Sequence, residues 1–181
     1  TPLLVATVRG HAELAMFLLE QGAHPDGDVE GAGYTPLLWA SSTAETPLTY
    51  GEIEAPGEWR AMPGIPDRAG QLALIQTLIE HGADIEAQIS RPLLAYSTFE
   101  NRSHRGGTPF FTAAASGDAE VMRLLVAHGA DPLARARNGW TPIMAAAGAM
   151  GNQTPNIEAA LSVTEQDRVD AIELAWKLGN D

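Results

Sequence analysis

The chain has no cysteine among its 181 residues. That removes disulfide cross-links, thiolate nucleophiles, cysteine zinc sites and iron–sulfur ligation, and it leaves the redox compartment unreadable. Positive charge is scarce as well: Lys and Arg number 11 against 23 Asp and Glu, for a net charge of −12. A field of that sign repels polyanions and so excludes nucleic acid and anionic membrane as main partners. No run of about 18 apolar residues is available to span a bilayer. The sequence opens on Thr1-Pro2 rather than on an initiator Met or a basic-then-apolar export signal, as expected of an internal or processed piece of a longer chain. With 45% hydrophobic residues, the length suffices for one sizeable core and not for several independent domains.

Motifs of chemistry are missing too. There is no Gly-x-Ser-x-Gly elbow, no Gly-x4-Gly-Lys phosphate loop, no Gly-x-Gly-x-x-Gly between a strand and a helix, and no His-Glu-x-x-His. None of the 5 histidines lies four residues from another. Carboxylate pairs such as Glu52 with Glu54 or Glu165 with Asp167 are what exposed loops and helix starts carry by chance. The sequence thus predicts no catalytic residue, no bound metal and no cofactor.

What the chain does have is self-similarity. Thr-Pro followed by apolar and small residues recurs at Thr1-Pro2-Leu3-Leu4, Thr35-Pro36-Leu37-Leu38, Thr108-Pro109-Phe110-Phe111 and Thr141-Pro142-Ile143-Met144. A second signature trails each copy, as Leu18-Leu19-Glu20-Gln21-Gly22-Ala23, Leu78-Ile79-Glu80-His81-Gly82-Ala83, Leu125-Val126-Ala127-His128-Gly129-Ala130 and, more loosely, Ala175-Trp176-Lys177-Leu178-Gly179-Asn180. Thr1 to Gly22 and Thr108 to Gly129 are both 21 residues, and the Thr-to-Thr intervals are 34 and 33. In each copy Pro suits the first turn of a helix capped by Thr. A second amphipathic helix follows: residues 12–21 with Leu14, Phe17 and Leu18 at i, i+3, i+4, and residues 119–128 with Val121, Leu124 and Leu125 in the same pattern. Gly22, Gly82, Gly129 and Gly179 then fit left-handed helix ends.

The period and these motifs resemble the ankyrin repeat over the whole chain. The resemblance implies an all-α solenoid of four helix-turn-helix repeats with short hairpin-like fingers: residues 1–34, 35–95, 108–140 and 141–181. Extra length locates three insertions, at about 43–69 and 149–165 between the helices of the second and fourth copies, and at about 88–105 in the finger before the third. Inserts in solenoids are either binding elements or tolerated loops. Tyr50, Trp59 and Met62 in the longest insert read as a plug holding that loop to the stack or as anchors for a partner.

The chain departs from the family's pattern in every copy: Leu4, Leu38, Phe111 and Met144 stand where the ankyrin Thr-Pro-Leu-His element has His. Apolar packing is therefore expected to replace a polar link between repeats. Likewise Glu30, Ser103 and Ala136 replace the Asp that opens the finger, and His24 stands where Asp is usual.

Function follows from the resemblance as a protein-interaction scaffold, with contacts from the helix ends and fingers: Arg9, Tyr34, Ser42, Arg105, Ser116, Arg137, Asn138 and Trp140. Tyr34 and Trp140 fit equally well as packing on a neighbouring finger. Charge sharpens this picture, since residues 1–86 hold 13 acidic and 3 basic side chains whereas residues 87–140 hold 4 and 6. Arg91, Arg102, Arg105, Arg135 and Arg137 all fall on finger segments, where planar guanidinium groups suit the carboxylates of an acidic partner segment. They could equally neutralise the chain's own acidic loops. Neither end reads as a polar cap, so the rival expectation is a structural subunit of an oligomer or larger assembly that stacks through those ends. Long repeats with inserts also resemble those of large bacterial ankyrin proteins, many of them exported, which implies an exported or cell-envelope setting.

Overall fold

A computed structural model describes residues 1–27, 33–42, 68–90, 105–137, 139–147 and 164–180. Four helix pairs follow one another: α1 Pro2–Val8 and α2 Ala12–Glu20, α3 Pro36–Ala40 and α4 Arg68–Glu80, α5 Pro109–Ala115 and α6 Ala119–Ala127, α7 Pro142–Ala146 and α8 Glu165–Lys177. No strand occurs among the described residues. The first helices stack in a row, α1 on α3 on α5 on α7, while α2 packs on α4 and α6 on α8. One hydrophobic core runs through all four pairs, from Leu3, Ala15 and Leu19 through Leu37, Leu74 and Leu78 to Phe110, Val121, Leu125, Ala146 and Ala175.

Local chemistry defines each helix at both ends. Thr1, Thr35, Thr108 and Thr141 accept the backbone N–H three residues on, at 3.2–3.4 Å, with Pro next in the first turn. Gly22, Gly82, Gly129 and Gly179 all have φ between 86° and 98°. After each, the next N–H reaches back to the carbonyl five residues earlier: Ala23 to Leu18, Ala83 to Leu78, Ala130 to Leu125 and Asn180 to Ala175, at 2.9–3.1 Å. This is the hydrogen-bond closure of a left-handed helix end, and it aims the chain into the finger. Helix α8 adds a cap at Thr164, within the segment expected as the last insert. Thr164 accepts from Asp167 N–H while the Asp167 carboxylate accepts from Thr164 N–H.

Two expectations need correction. Arg68 and Ala69 begin α4, Glu165 begins α8, and Ile89 and Ser90 belong to a paired finger, so these residues leave the inserts assigned to 43–69, 149–165 and 88–105. The cores of those inserts, including Tyr50, Trp59 and Met62, lie outside the described residues. In α2 the buried side chains are Ala12, Ala15 and Leu19, whereas Leu14 and Phe17 are exposed. The same pattern in α6 does bury Val121 and Leu125.

Neighbouring repeats are joined by polar contacts at the loop that leaves each second helix. Asp26 Oδ1 accepts from Asp84 N–H at 2.8 Å, and Glu86 Oε1 accepts from Asp131 N–H at 2.7 Å. Within each loop Asp84 and Asp131 accept the N–H two residues on, and in the first loop the imidazole of His24 does the same for Asp26, at 3.3 Å. Between α4 and α6 the link is ionic. Arg68 donates to both oxygens of Asp118 at 2.6 and 2.7 Å and to Glu120 at 2.9 Å, and it steadies Gln71, whose amide donates to Ala40 C=O. The Asp118 carboxylate raises the Arg68 pKa above its ordinary value, against the opposing effect of burial. Asp118, itself buried, also caps α6 by accepting from Val121 N–H.

Urea unfolding of five single variants tests these roles. Gly129→Ala meets no atom within 4 Å but must hold φ +96°, so it is expected to cost about 1 kcal/mol. Gly106→Ala costs more, because its Cβ would sit 2.9 Å from the Arg137 backbone nitrogen. Asp118→Ala removes a cap and a charged bond and is expected to cost about 2 kcal/mol, with Arg68→Ala costing less because that side chain is 42% exposed. Burial first, then the charges of Asp131 and Asp84, push the Glu86 pKa up against the opposing Asp131 N–H bond. Its contribution is therefore present below the ordinary glutamate range and lost as pH rises through the native value. Glu86→Gln keeps the acceptor for Asp131, so the variant should gain on the wild type between about pH 4 and pH 7, and a pH-independent difference would contradict this.

Candidate interaction surface

The fingers are built from backbone hydrogen bonds. Ile89 N–H donates to Gly107 C=O at 3.0 Å and Gly106 N–H to Ile89 C=O at 2.8 Å, closing the base of that finger. Successive fingers are then stitched together, with Ser90 N–H on Gly33 C=O at 3.1 Å and Arg137 N–H on Arg105 C=O at 2.7 Å. The last finger turns on itself through Ala136 N–H to Trp140 C=O and Gly139 N–H to Ala136 C=O. Gly106 is required where it is: φ is +79°, and the Arg137 Cγ passes 2.8 Å from where a Cβ would stand.

Of the predicted contact residues, the structure brings Arg105 and Arg137 together across that stitch, with Arg135 two residues earlier. Arg135 and Arg137 are exposed and Arg105 is half-buried, its Nε buried without a hydrogen-bond partner among the described residues. Arg102 and Asn138 lie outside the described residues, as do Glu30, Arg91 and Ser103. Arg9 caps the end of α1, half-buried, and Ser42 stands half-buried just past α3. Ser116 caps α5 and is buried, which leaves little of it for a partner.

The aromatic residues have packing roles. Tyr34 meets Trp39 edge-on at 6.1 Å and joins Leu38, Ala87 and Ile89, and burial pushes its hydroxyl pKa up to about 12. Trp140 packs with Phe111, Ala136 and Ala145. These two small cores account for two of the four departures from Thr-Pro-Leu-His, those at Leu38 and Phe111. Leu38 and Phe111 each bury against the following finger, Leu4 is half-buried, and Met144 is exposed.

Sequence reasoning did not find the Arg68–Asp118 link or the Asp26–Asp84 and Glu86–Asp131 bonds, since their partners lie 45 to 58 residues apart. The capping box did have a local signal, Thr164 and Asp167 three residues apart. Among the described residues no three His, Asp or Glu side chains gather as metal ligands. No helix there is long and apolar enough to cross a membrane.

Comparison with known proteins agrees with this architecture. The family described as ankyrin repeats (3 copies) matches residues 68–161, over half of the chain, and the single ankyrin repeat matches residues 1–28. The unmatched stretch between them contains the long insert that separates α3 from α4. The chain is 35% identical over 77 residues to the 2-5A-dependent ribonuclease of Mus musculus and 34% identical over 74 residues to that of Homo sapiens. These alignments take in 42% and 41% of this chain but 9% and 8% of the ribonucleases, so the chain spans under a tenth of their length. Ankyrin repeats generally mediate protein–protein interaction, and such domains are typically non-catalytic. Four Thr-capped, Gly-terminated helix pairs on one shared core, matched by these family profiles, make the chain a member of the ankyrin-repeat family.

Proposed function

We propose that this chain is a non-catalytic scaffold that receives a short acidic segment of a protein partner on its finger arginines. The observation that carries the reading is the stitch from Arg137 N–H to Arg105 C=O, which sets Arg105, Arg135 and Arg137 on two adjoining fingers. Guanidinium groups held by a rigid backbone pair offer forked donors to carboxylates without first having to order the chain. The surrounding net charge of −12 makes this the place where an acidic segment is attracted rather than repelled. Arg102 and Asn138 extend the surface by their place in the sequence, and Arg9 and Ser42 at the helix ends give it a margin. A non-catalytic role is supported by a sequence with no nucleophile elbow, phosphate loop or metal-ligating helix.

The test is fluorescence anisotropy of a labelled Glu/Asp-rich peptide titrated with the chain. The triple variant Arg105→Glu, Arg135→Glu, Arg137→Glu is expected to weaken binding at least about tenfold, and added salt should weaken the wild type in the same direction. Arg123→Glu, an exposed residue on α6, is expected to leave affinity unchanged. Equal binding by the triple variant and the wild type would remove the finger arginines from the site.

A further inference from the structure

Arg105, Arg135 and Arg137 form no ion pair among the described residues, although the chain carries 23 Asp and Glu. Arg68 and Lys177 show the contrast, each bonded to a carboxylate of this chain. The finger arginines therefore do not neutralise the described acidic loops, and their charge stays uncompensated there.

The three are not equivalent. Ala136 is buried with Phe111 and Ala145, which anchors the last finger and leaves Arg135 and Arg137 exposed on either side of it. Arg137 is held a second time. Its N–H donates to Arg105 C=O at 2.7 Å, and its Cγ lies 2.8 Å from where a Gly106 Cβ would stand, so the aliphatic stem rests on bare backbone beside Arg105. Only glycine leaves room for that seat, since any other residue at 106 puts its Cβ where the stem lies. Arg105 is half-buried, and its Nε is closed off without a hydrogen-bond partner among the described residues. A cation that has lost part of its water and found no acceptor gains most from an incoming carboxylate. No described hydrogen bond joins Arg135 to residues 105–107.

We propose that Arg105 and Arg137 act as one clamp on a single side-chain carboxylate of the acidic segment, with Gly106 as the positioning residue that seats Arg137 and Arg135 supplying only long-range attraction. The inference rests on the reading of the finger arginines as the partner site and adds which of them grip. One anion between two guanidinium groups offsets both charges at once, and forked donors on two fixed backbones suit a two-oxygen acceptor better than a diffuse negative field does. A pinned stem also has less freedom to lose on binding. Arg135, exposed and not joined to that pair, acts through a field that salt screens.

Fluorescence anisotropy of the labelled Glu/Asp-rich peptide with single and double variants tests this division of roles. Arg105→Ala and Arg137→Ala are each expected to weaken binding about tenfold, and the double variant only slightly more than either, because the second loss finds the clamp already broken. Arg135→Ala is expected to cost about threefold or less, to multiply with either of the others, and to fade as salt is raised. Arg137→Lys keeps the charge without the fork and is expected to recover little of the loss, whereas Arg135→Lys binds as the wild type does. Gly106→Ala is expected to weaken binding in the wild-type background and to add little in the Arg137→Ala background, a dependence that general loss of structure would not produce. Circular dichroism checks that each variant is folded, and the arginine variants carry the test on their own if Gly106→Ala is not. Losses at Arg105 and Arg137 that simply multiply in the double variant, or full recovery by Arg137→Lys, overturn the clamp while leaving the acidic-segment reading intact, since the triple Glu variant would still bind weakly. Undiminished binding by that triple variant overturns both.

Discussion

Each helix pair depends on its neighbour for burial, and the rest of the structure follows from that dependence. Helices α3 and α7 have 5 residues and α1 and α5 have 7, far below the dozen or so at which an isolated helix holds together in water. Thr caps and Pro starts lower the cost of forming them, but what keeps them folded is the core that passes through all four pairs. Stability is therefore shared along the stack, as nearest-neighbour terms, rather than owned by any one repeat. This also explains how the chain accepts long inserts. The closure entropy of a longer connection grows slowly with its length.

Polar contacts then set how one repeat sits on the next. Apolar faces resist separation more than sliding, because dispersion and burial are largely non-directional. The bonds from Asp84 N–H to Asp26, from Asp131 N–H to Glu86 and from Arg68 to Asp118 are directional, as are the backbone stitches between fingers. They fix register at the second-helix loops, between α4 and α6, and along the fingers. Arg68 at the start of α4 reaches both Asp118 and Glu120 at the start of α6.

How much of this could be read in the sequence depends on the range of each interaction. The Thr-Pro starts and terminal glycines act within five residues of chain, so the repeat, its caps and its left-handed ends were legible. The apolar face of α2 was legible as a pattern but misleading as burial: Leu14 and Phe17 have the spacing of a core face, yet Ala12, Ala15 and Leu19 are the side chains that are buried. The carboxylate bonds between repeats were illegible, because an acidic residue in a loop looks the same whether solvated or bonded to a backbone 45 residues away. His24 shows the same limit, since its imidazole takes over the acceptor role of Asp84 and Asp131, which no composition rule anticipates. The candidate finger surface was legible as a bias in charge, and the structure added the stitch that brings Arg105 to Arg137.

The distribution of charge also constrains what the fingers could hold. Asp26, Asp84, Glu86 and Asp131 accept backbone N–H groups at the base of the fingers, where the chain leaves each second helix. Arg105, Arg135 and Arg137 follow further along, on the fingers themselves. A carboxylate approaching the arginines is attracted. The proposed site is thus a local change of sign in a chain of net charge −12, since residues 87–140 are the stretch in which basic side chains outnumber acidic ones.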